Sequence, residues 1–210
     1  MAPPAIFTFI TGTAGTENVS CVYIKNMASN SRRQIEIWLG SLEIKGKVVD
    51  IGGLFWPVRG RLKKWDVPRY DIFDTVSSRK GVYANYIWDF NRKKESWGEV
   101  GQYDVAFCIE VTDHFWDPVT AFWNIHELLR PGGMLYVSSN FLFPHHTGFD
   151  CIRLTATGLR KILTENGFEV VSVLPRMAAK QDILEEAMRA ESKVYNHPGE
   201  IGYMVTAKRL

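Results

Sequence analysis

The chain has 210 residues, 46% hydrophobic and 23% charged, with a formal net charge of +2. That length favours one domain around one sizeable core; the composition is that of an ordinary soluble globular protein, and so small a charge gives no polyanion-binding role by itself. No apolar run approaches the ~20 residues of a membrane helix, the N-terminus lacks the features of a signal peptide, and Cys21, Cys108 and Cys151, odd in number and widely spaced, fit free thiols in a reducing cytoplasm, with no zinc site and no disulfide framework.

Residues 5–10 and 19–25 alternate moderately around Thr11–Asn18, which suggests a hairpin or extended arm over 1–28, ahead of a single domain over 29–210. Ser29, Asn30 and Ser31 are N-cap candidates, and Ile35, Trp38, Leu39 and Leu42 follow at helical spacing. Lys47-Val48-Val49-Asp50-Ile51 then reads as a buried parallel strand that breaks on Gly52-Gly53. Residues 57–68 are too short and too broken by Pro and Gly for a full crossover helix. Further strands are expected over 69–73, 83–88 and 103–109, ending at Asp74, Asp89 and Glu110. Asp117-Pro118 starts a helix with Phe122, Ile125, Leu128 and Leu129 on one face, stopped by Arg130-Pro131-Gly132-Gly133. A strand over 134–138, a helix over 156–166 with Gly167 as its C′ residue, a strand over 168–174, a helical stretch over 178–193 and a last strand over 202–208 complete the pattern. Strands alternating with helices predict a parallel sheet covered by helices. The connection 175–200 is long for two adjacent strands, and reads as a cover segment or an oligomer contact.

Ligands in open α/β sheets bind at the carboxyl ends of the strands, where these three acids stand. Asp74 follows Gly53 by 21 positions, close to the ~20 at which an acid accepts from ribose hydroxyls in nucleotide-binding sheets. Asp89 also reads as a plain turn residue.

Six segments in order give this pattern a sharper meaning: Val48–Gly53, Tyr103–His114, Asp117-Pro118, Glu127–Gly133, Arg153–Leu159 and Glu165–Val171. Together they resemble a class I S-adenosylmethionine-dependent methyltransferase over residues 33–174. The similarity is to the branch with E-V-x-E-H after the fourth strand and P-x-H…D-x-x-R-x-T-x-x-G-L after the fifth. The resemblance implies a Rossmann-like, mostly parallel seven-stranded sheet with helices on both faces and an antiparallel final strand. It implies that Asp50, Gly52 and Gly53 pass under the methionine part of S-adenosylmethionine and that Asp74 holds the ribose. Asp89 and Phe90 would flank the adenine, and Ile109 and Glu110 would lie near the sulfonium.

The chain departs from the family's D-x-G-x-G-x-G loop, with Leu54 and Trp56 where later glycines belong. Bulky side chains there would hinder close backbone approach, and the curtailed helix removes an anion-binding terminus. Arg59 or Arg61 would then serve the donor's carboxylate, unless they form a solvated basic face with Lys63 and Lys64. His114, His145, His146 and Asp150 cluster after the fourth and fifth strands. His146 matches the family's histidine and is a candidate base for a hydroxyl acceptor; His114 either shapes the donor pocket or acts as a base. Asp150 and Arg153 read as an ion pair fixing the loop, and no third and fourth ligand makes the histidines a metal site.

The expected activity is methyl transfer to a small polar molecule or a glycan hydroxyl, the branch being associated with carbohydrate modification. The alternative is a non-catalytic protein of the same fold. A nicotinamide oxidoreductase lacks its G-x-G-x-x-G here, and nothing positively supports a nucleic-acid acceptor. A homo-oligomer stays open.

Overall fold

The computed structural model describes residues 30–95, 97, 102–142, 148, 150–177 and 200–210. The expected arm over 1–28, both His145 and His146, and the helical stretch 178–193 lie outside them. The elements run α1 (Asn30–Ser41), β1 (Glu43–Ile51), β2 (Lys64–Asp74), β3 (Ser78–Arg79), β4 (Val82–Tyr83), β5 (Tyr86–Ile87), β6 (Tyr103–Ile109), a 3-10 turn (Thr112–His114), α2 (Pro118–Leu128), β7 (Leu129–Asn140), α3 (Ala156–Glu165), β8 (Phe168–Met177) and β9 (Glu200–Arg209). Seven strands form one sheet in the order β5-β2-β1-β6-β7-β9-β8. The first five are parallel, and β9 runs antiparallel to both β7 and β8. This is the mostly parallel α/β sheet that the alternating pattern predicts.

Both faces are apolar because the buried strands are apolar at successive positions. On one face Ile35, Trp38 and Leu39 of α1 pack on Val48, Phe107 and Tyr136. On the other, Phe122 and Ile125 of α2 and Leu159 and Leu163 of α3 pack on Val49, Ala106 and Val137. Each fully buried side chain of this size contributes roughly 1.5–3 kcal/mol. Asp117 caps α2 by accepting from Thr120 N at 3.1 Å, with Pro118 in the first turn, and Thr155 caps α3 through Gly158 N at 3.0 Å. No described helix is long and apolar enough to cross a membrane.

Four boundaries differ from the sequence pattern, each for a local reason. β2 begins at Lys64 and contains Pro68, because the β1–β2 ladder shifts register between Lys45/Asp66 and Lys47/Arg69, and β5 pairs only with Phe73 and Asp74. Proline is tolerated at such an edge bulge. The strand expected over 83–88 is reduced to β5, since Tyr83 pairs with Ser78 in a separate hairpin. β7 absorbs Arg130–Gly133: the register with β6 jumps from Tyr103/Leu129 to Val105/Met134, so these residues bulge, with Gly132 at φ +78°. β8 runs on to Met177, so Pro175–Met177 belong to the sheet rather than to a cover segment.

The loop after β1 is organised by Asp50, which is 1% exposed. Its Oδ2 accepts from Val58 N at 2.8 Å and from the Tyr70 hydroxyl at 2.5 Å. Burial pushes its pKa from an ordinary 3.8 up to about 6, against the opposing effect of these two hydrogen bonds. A folded-state pKa above the open-chain value means that the folded protein holds a proton which the unfolded chain releases first. The associated stability is present below the ordinary value and is lost as pH rises through about 6. Urea unfolding of wild type and Asp50→Asn should therefore show the variant gaining up to about 3 kcal/mol relative to wild type between about pH 4 and about pH 7. A difference constant across that window would contradict the assignment.

Candidate active site at the carboxyl ends of the strands

The turn leaving β1 is dictated by its two glycines. Gly52 has φ +71°, and a Cβ there would lie 2.5 Å from a methyl of Val111. A Cβ on Gly53 would lie 2.4 Å from the Asp50 carboxyl carbon. The Gly52 amide donates to Phe73 O at 2.8 Å, which hangs the turn on β2 beside Asp74. Of the two residues that replace family glycines, Leu54 is buried, 1% exposed, and Trp56 is 57% exposed. The guanidinium of Arg32 lies 4.8 Å from the Trp56 ring.

The two arginines in this loop separate. Arg61 donates to Glu36 Oε2 and Oε1 at 3.1 and 2.7 Å, and to Trp56 O at 3.1 Å. It braces α1 against the loop, a task that occupies the guanidinium expected for a donor carboxylate. The Arg59 side chain is exposed and makes no hydrogen bond or ion pair among the described residues.

Asp74 ends β2 half-buried. Its Oδ1 accepts from Thr75 N at 2.8 Å and Val76 N at 3.4 Å, while Oδ2 accepts nothing among the described residues. Asp89 Oδ1 accepts from the amide and side chain of Asn91 at 3.0 and 2.9 Å. Phe90, expected to flank an adenine, packs its ring against the core: it is 4% exposed, with its ring centroid 5.9 Å from those of Phe73 and Trp97. Buried Asn124 holds this loop from α2, donating to Phe90 O and Arg92 O at 2.9 Å and accepting from Lys94 N at 3.1 Å.

Ile109 closes β6 against the α1 face of the sheet. Glu110, just beyond, adopts φ +58°, a left-handed conformation that costs a non-glycine residue roughly 1–2 kcal/mol. Hydrogen bonds hold it there. Its amide donates to Ser138 Oγ at 2.8 Å, and that hydroxyl donates back to Oε1 at 2.8 Å. Arg176, 1% exposed, donates to Glu110 Oε1 at 2.6 Å and Asn140 Oδ1 at 3.0 Å. A Cβ on Gly202 would sit 2.5 Å from Ser139 O and 3.3 Å from Arg176 Nη1, so β9 makes room for this pair with a glycine. Gln34 of α1 clamps both backbone groups of Met177, at 2.7 and 2.9 Å.

His114, half-buried, ends the 3-10 turn, its carbonyl accepting from Asn91 Nδ2 at 3.4 Å. The neighbouring Asp113 carbonyl accepts from Cys151 N at 2.7 Å and Ile152 N at 3.4 Å. Asp150 and Arg153 form the expected ion pair through two guanidinium contacts. Tyr70, Gln34, Asn124 and Arg176 escaped sequence reasoning. Tyr70 reads as a strand former and Arg176 as a surface cation, and their partners lie 20 and 66 positions away, beyond any local spacing rule.

The profile of a family described as "Methyltransferase domain" matches residues 24–173. No curated protein matches the chain. Among solved structures, a chain in the complex of the Haloferax volcanii Trm112 methyltransferase activator with a putative methyltransferase shares 17% identity, over 85% of this chain and 88% of that one, with a TM-score of 0.59. The N-methyltransferase NodS of Bradyrhizobium japonicum, in complex with S-adenosylhomocysteine, shares 14% identity over 91% and 93%, with a TM-score of 0.58. An S-adenosylmethionine-dependent methyltransferase of Mesorhizobium loti shares 15% over 85% and 98%, with a TM-score of 0.57. The chain therefore belongs to the methyltransferase-domain family, and its fold is that of the S-adenosylmethionine-dependent methyltransferases among these structures.

Proposed function

We propose that the acceptor is a small polar molecule or a glycan hydroxyl, that His146 takes its proton, and that the donor lies along the strand ends from Asp74 to Glu110. When bound, S-adenosylmethionine supplies an activated methyl group on its sulfonium. The chain's own residues supply binding and alignment, which in direct displacement are the main contribution of the enzyme. Asp74 accepts from the ribose hydroxyls, a vicinal diol that a carboxylate suits because both of its oxygens accept. The supporting observation is its Oδ2, left without a described partner beside the glycine turn. Asp50, Gly52 and Gly53 pass beneath the methionine end, Asp89 lies beside the adenine, and Arg59 meets the donor carboxylate. Ile109 and Glu110 line the reacting end, with the Glu110 carboxylate oriented by Arg176.

The acceptor reading is carried by the anchoring of the loop that contains both histidines. At one end Phe141 N and Leu142 N donate to Ile201 O at 3.0 and 3.1 Å; at the other, Cys151 N is held by Asp113 O. Both anchors stand at the same end of the sheet as Glu110 and His114. A neutral imidazole near pH 7 suits a hydroxyl acceptor, which is a poor nucleophile until its proton is taken. His114 shapes the donor pocket. Phe141, Phe143 and Phe149 flank the histidines in sequence, and aromatic faces beside polar groups suit sugar rings.

Saturating S-adenosylhomocysteine should raise the thermal midpoint, since a ligand at ~100 times its Kd stabilises by about 2.7 kcal/mol. Asp74→Ala should weaken binding at least tenfold, a charge-assisted hydrogen bond being worth ~1.5–3 kcal/mol. Arg59→Ala should weaken S-adenosylhomocysteine more than its decarboxylated analogue; equal losses would remove Arg59 from the carboxylate.

For the acceptor, methyl transfer by wild type and His146→Asn is compared on sugars, nucleotides, peptides and DNA, with donor affinity measured alongside. The reading predicts turnover on a hydroxyl substrate that falls in the variant while donor affinity holds. Full turnover by His146→Asn would end the base assignment, and turnover confined to peptide or DNA would end the glycan assignment.

A further inference from the structure

Beyond the residues proposed for methyl transfer, Phe55 and Trp56 of the loop after β1 meet the β3–β4 hairpin in an exposed surface. Phe55 is 42% exposed and Trp56 57%, in edge contact at 5.6 Å. The hairpin reaches this loop with its cations: the Arg79 guanidinium lies 5.4 Å and the Lys80 ammonium 4.5 Å from the Phe55 ring. Val76, Tyr83 and Ile87, on and beside the hairpin, are 44%, 73% and 59% exposed. Arg79 and Lys80 are exposed and form no ion pair among the described residues, whereas Lys63 and Lys64 belong to the other end of β2, where Lys64 pairs with Glu43. Apolar side chains and cations in one projecting surface are the pairing that an anionic bilayer rewards, cations meeting headgroups and rings entering the interface.

We propose that this surface docks the enzyme onto an anionic membrane. A single-stranded nucleic acid fits it less well. Successive bases need parallel faces to stack on, whereas Phe55 and Trp56 are inclined at 68° and both rings already face cations. Val76 and Ile87 offer an acyl region something to contact and a base nothing to stack on.

The test is co-sedimentation of the full chain with vesicles of phosphatidylcholine alone and of phosphatidylcholine mixed with phosphatidylglycerol. Partition onto the mixed vesicles only, released by salt, is expected. Phe55→Ser/Trp56→Ser and Arg79→Glu/Lys80→Glu should each lower it at least tenfold. Arg79→Gln/Lys80→Gln should lower it less, and thermal midpoints should stay at the wild-type value. No partition by wild type, or partition unchanged in the double variants, would overturn the proposal. Binding to a single-stranded oligonucleotide, lost in the same variants and without vesicle partition, would overturn it in favour of nucleic acid.

Discussion

The turn leaving β1 depends on one buried carboxylate. Asp50 is out of water on a central strand, and it is tolerated there because Val58 N and the Tyr70 hydroxyl both donate to it. The same contacts set the chain's path. The Val58 bond bends residues 52–58 back over the end of β1, and Tyr70 ties that bend to β2. Gly53 has no side chain because the carboxyl group occupies the space one would need. The family usually ends this strand in a glycine-rich loop and a helix. Here a short loop locked on a carboxylate follows the strand, with Leu54 and Val58 buried beneath it and Arg61 bracing it from α1.

A second buried charge organises the end of β6. Arg176 comes from β8, Glu110 from the end of β6 and Asn140 from the end of β7, so one guanidinium spans the sheet where parallel gives way to antiparallel pairing. Breaking such a pair by removing one partner costs roughly 3–5 kcal/mol, since the other charge stays buried. Its value here is geometric: it holds Glu110 in a left-handed backbone conformation beside Ser138. Arg32 lies within electrostatic reach of this pair and of the Glu36–Arg61 brace, and burial, then the charge of Arg61, lowers its pKa. The loop after β1, α1 and the end of β6 thus share one connected set of charges.

The parts of this architecture legible in the sequence are those written in local patterns. Val48-Val49-Asp50 followed by two glycines marks the strand and its turn, Asp117-Pro118 the start of α2, and Gly167 the end of α3. The order of the segments carries the family. What the sequence hid is non-local. Pro68 hides a strand because its tolerance depends on a register shift against β1. The fate of Phe90 depends on which way a loop turns, and that is fixed by Asn124 from a helix 34 positions away. Arg59 and Arg61 read alike, and only Glu36, 25 positions upstream, tells them apart. Each miss is a long-range partner choice that propensity and spacing do not encode.

In the proposed donor site, a carboxylate-locked loop stands in place of the glycine-rich one and presents the donor to Asp74. A crystal structure of the complex with S-adenosylhomocysteine tests it most directly. Both ribose hydroxyls are expected within hydrogen-bond reach of Asp74, with Val58 N still donating to Asp50 beneath the ligand. A ligand seated away from Asp74, or a loop swung open with that bond broken, would contradict it.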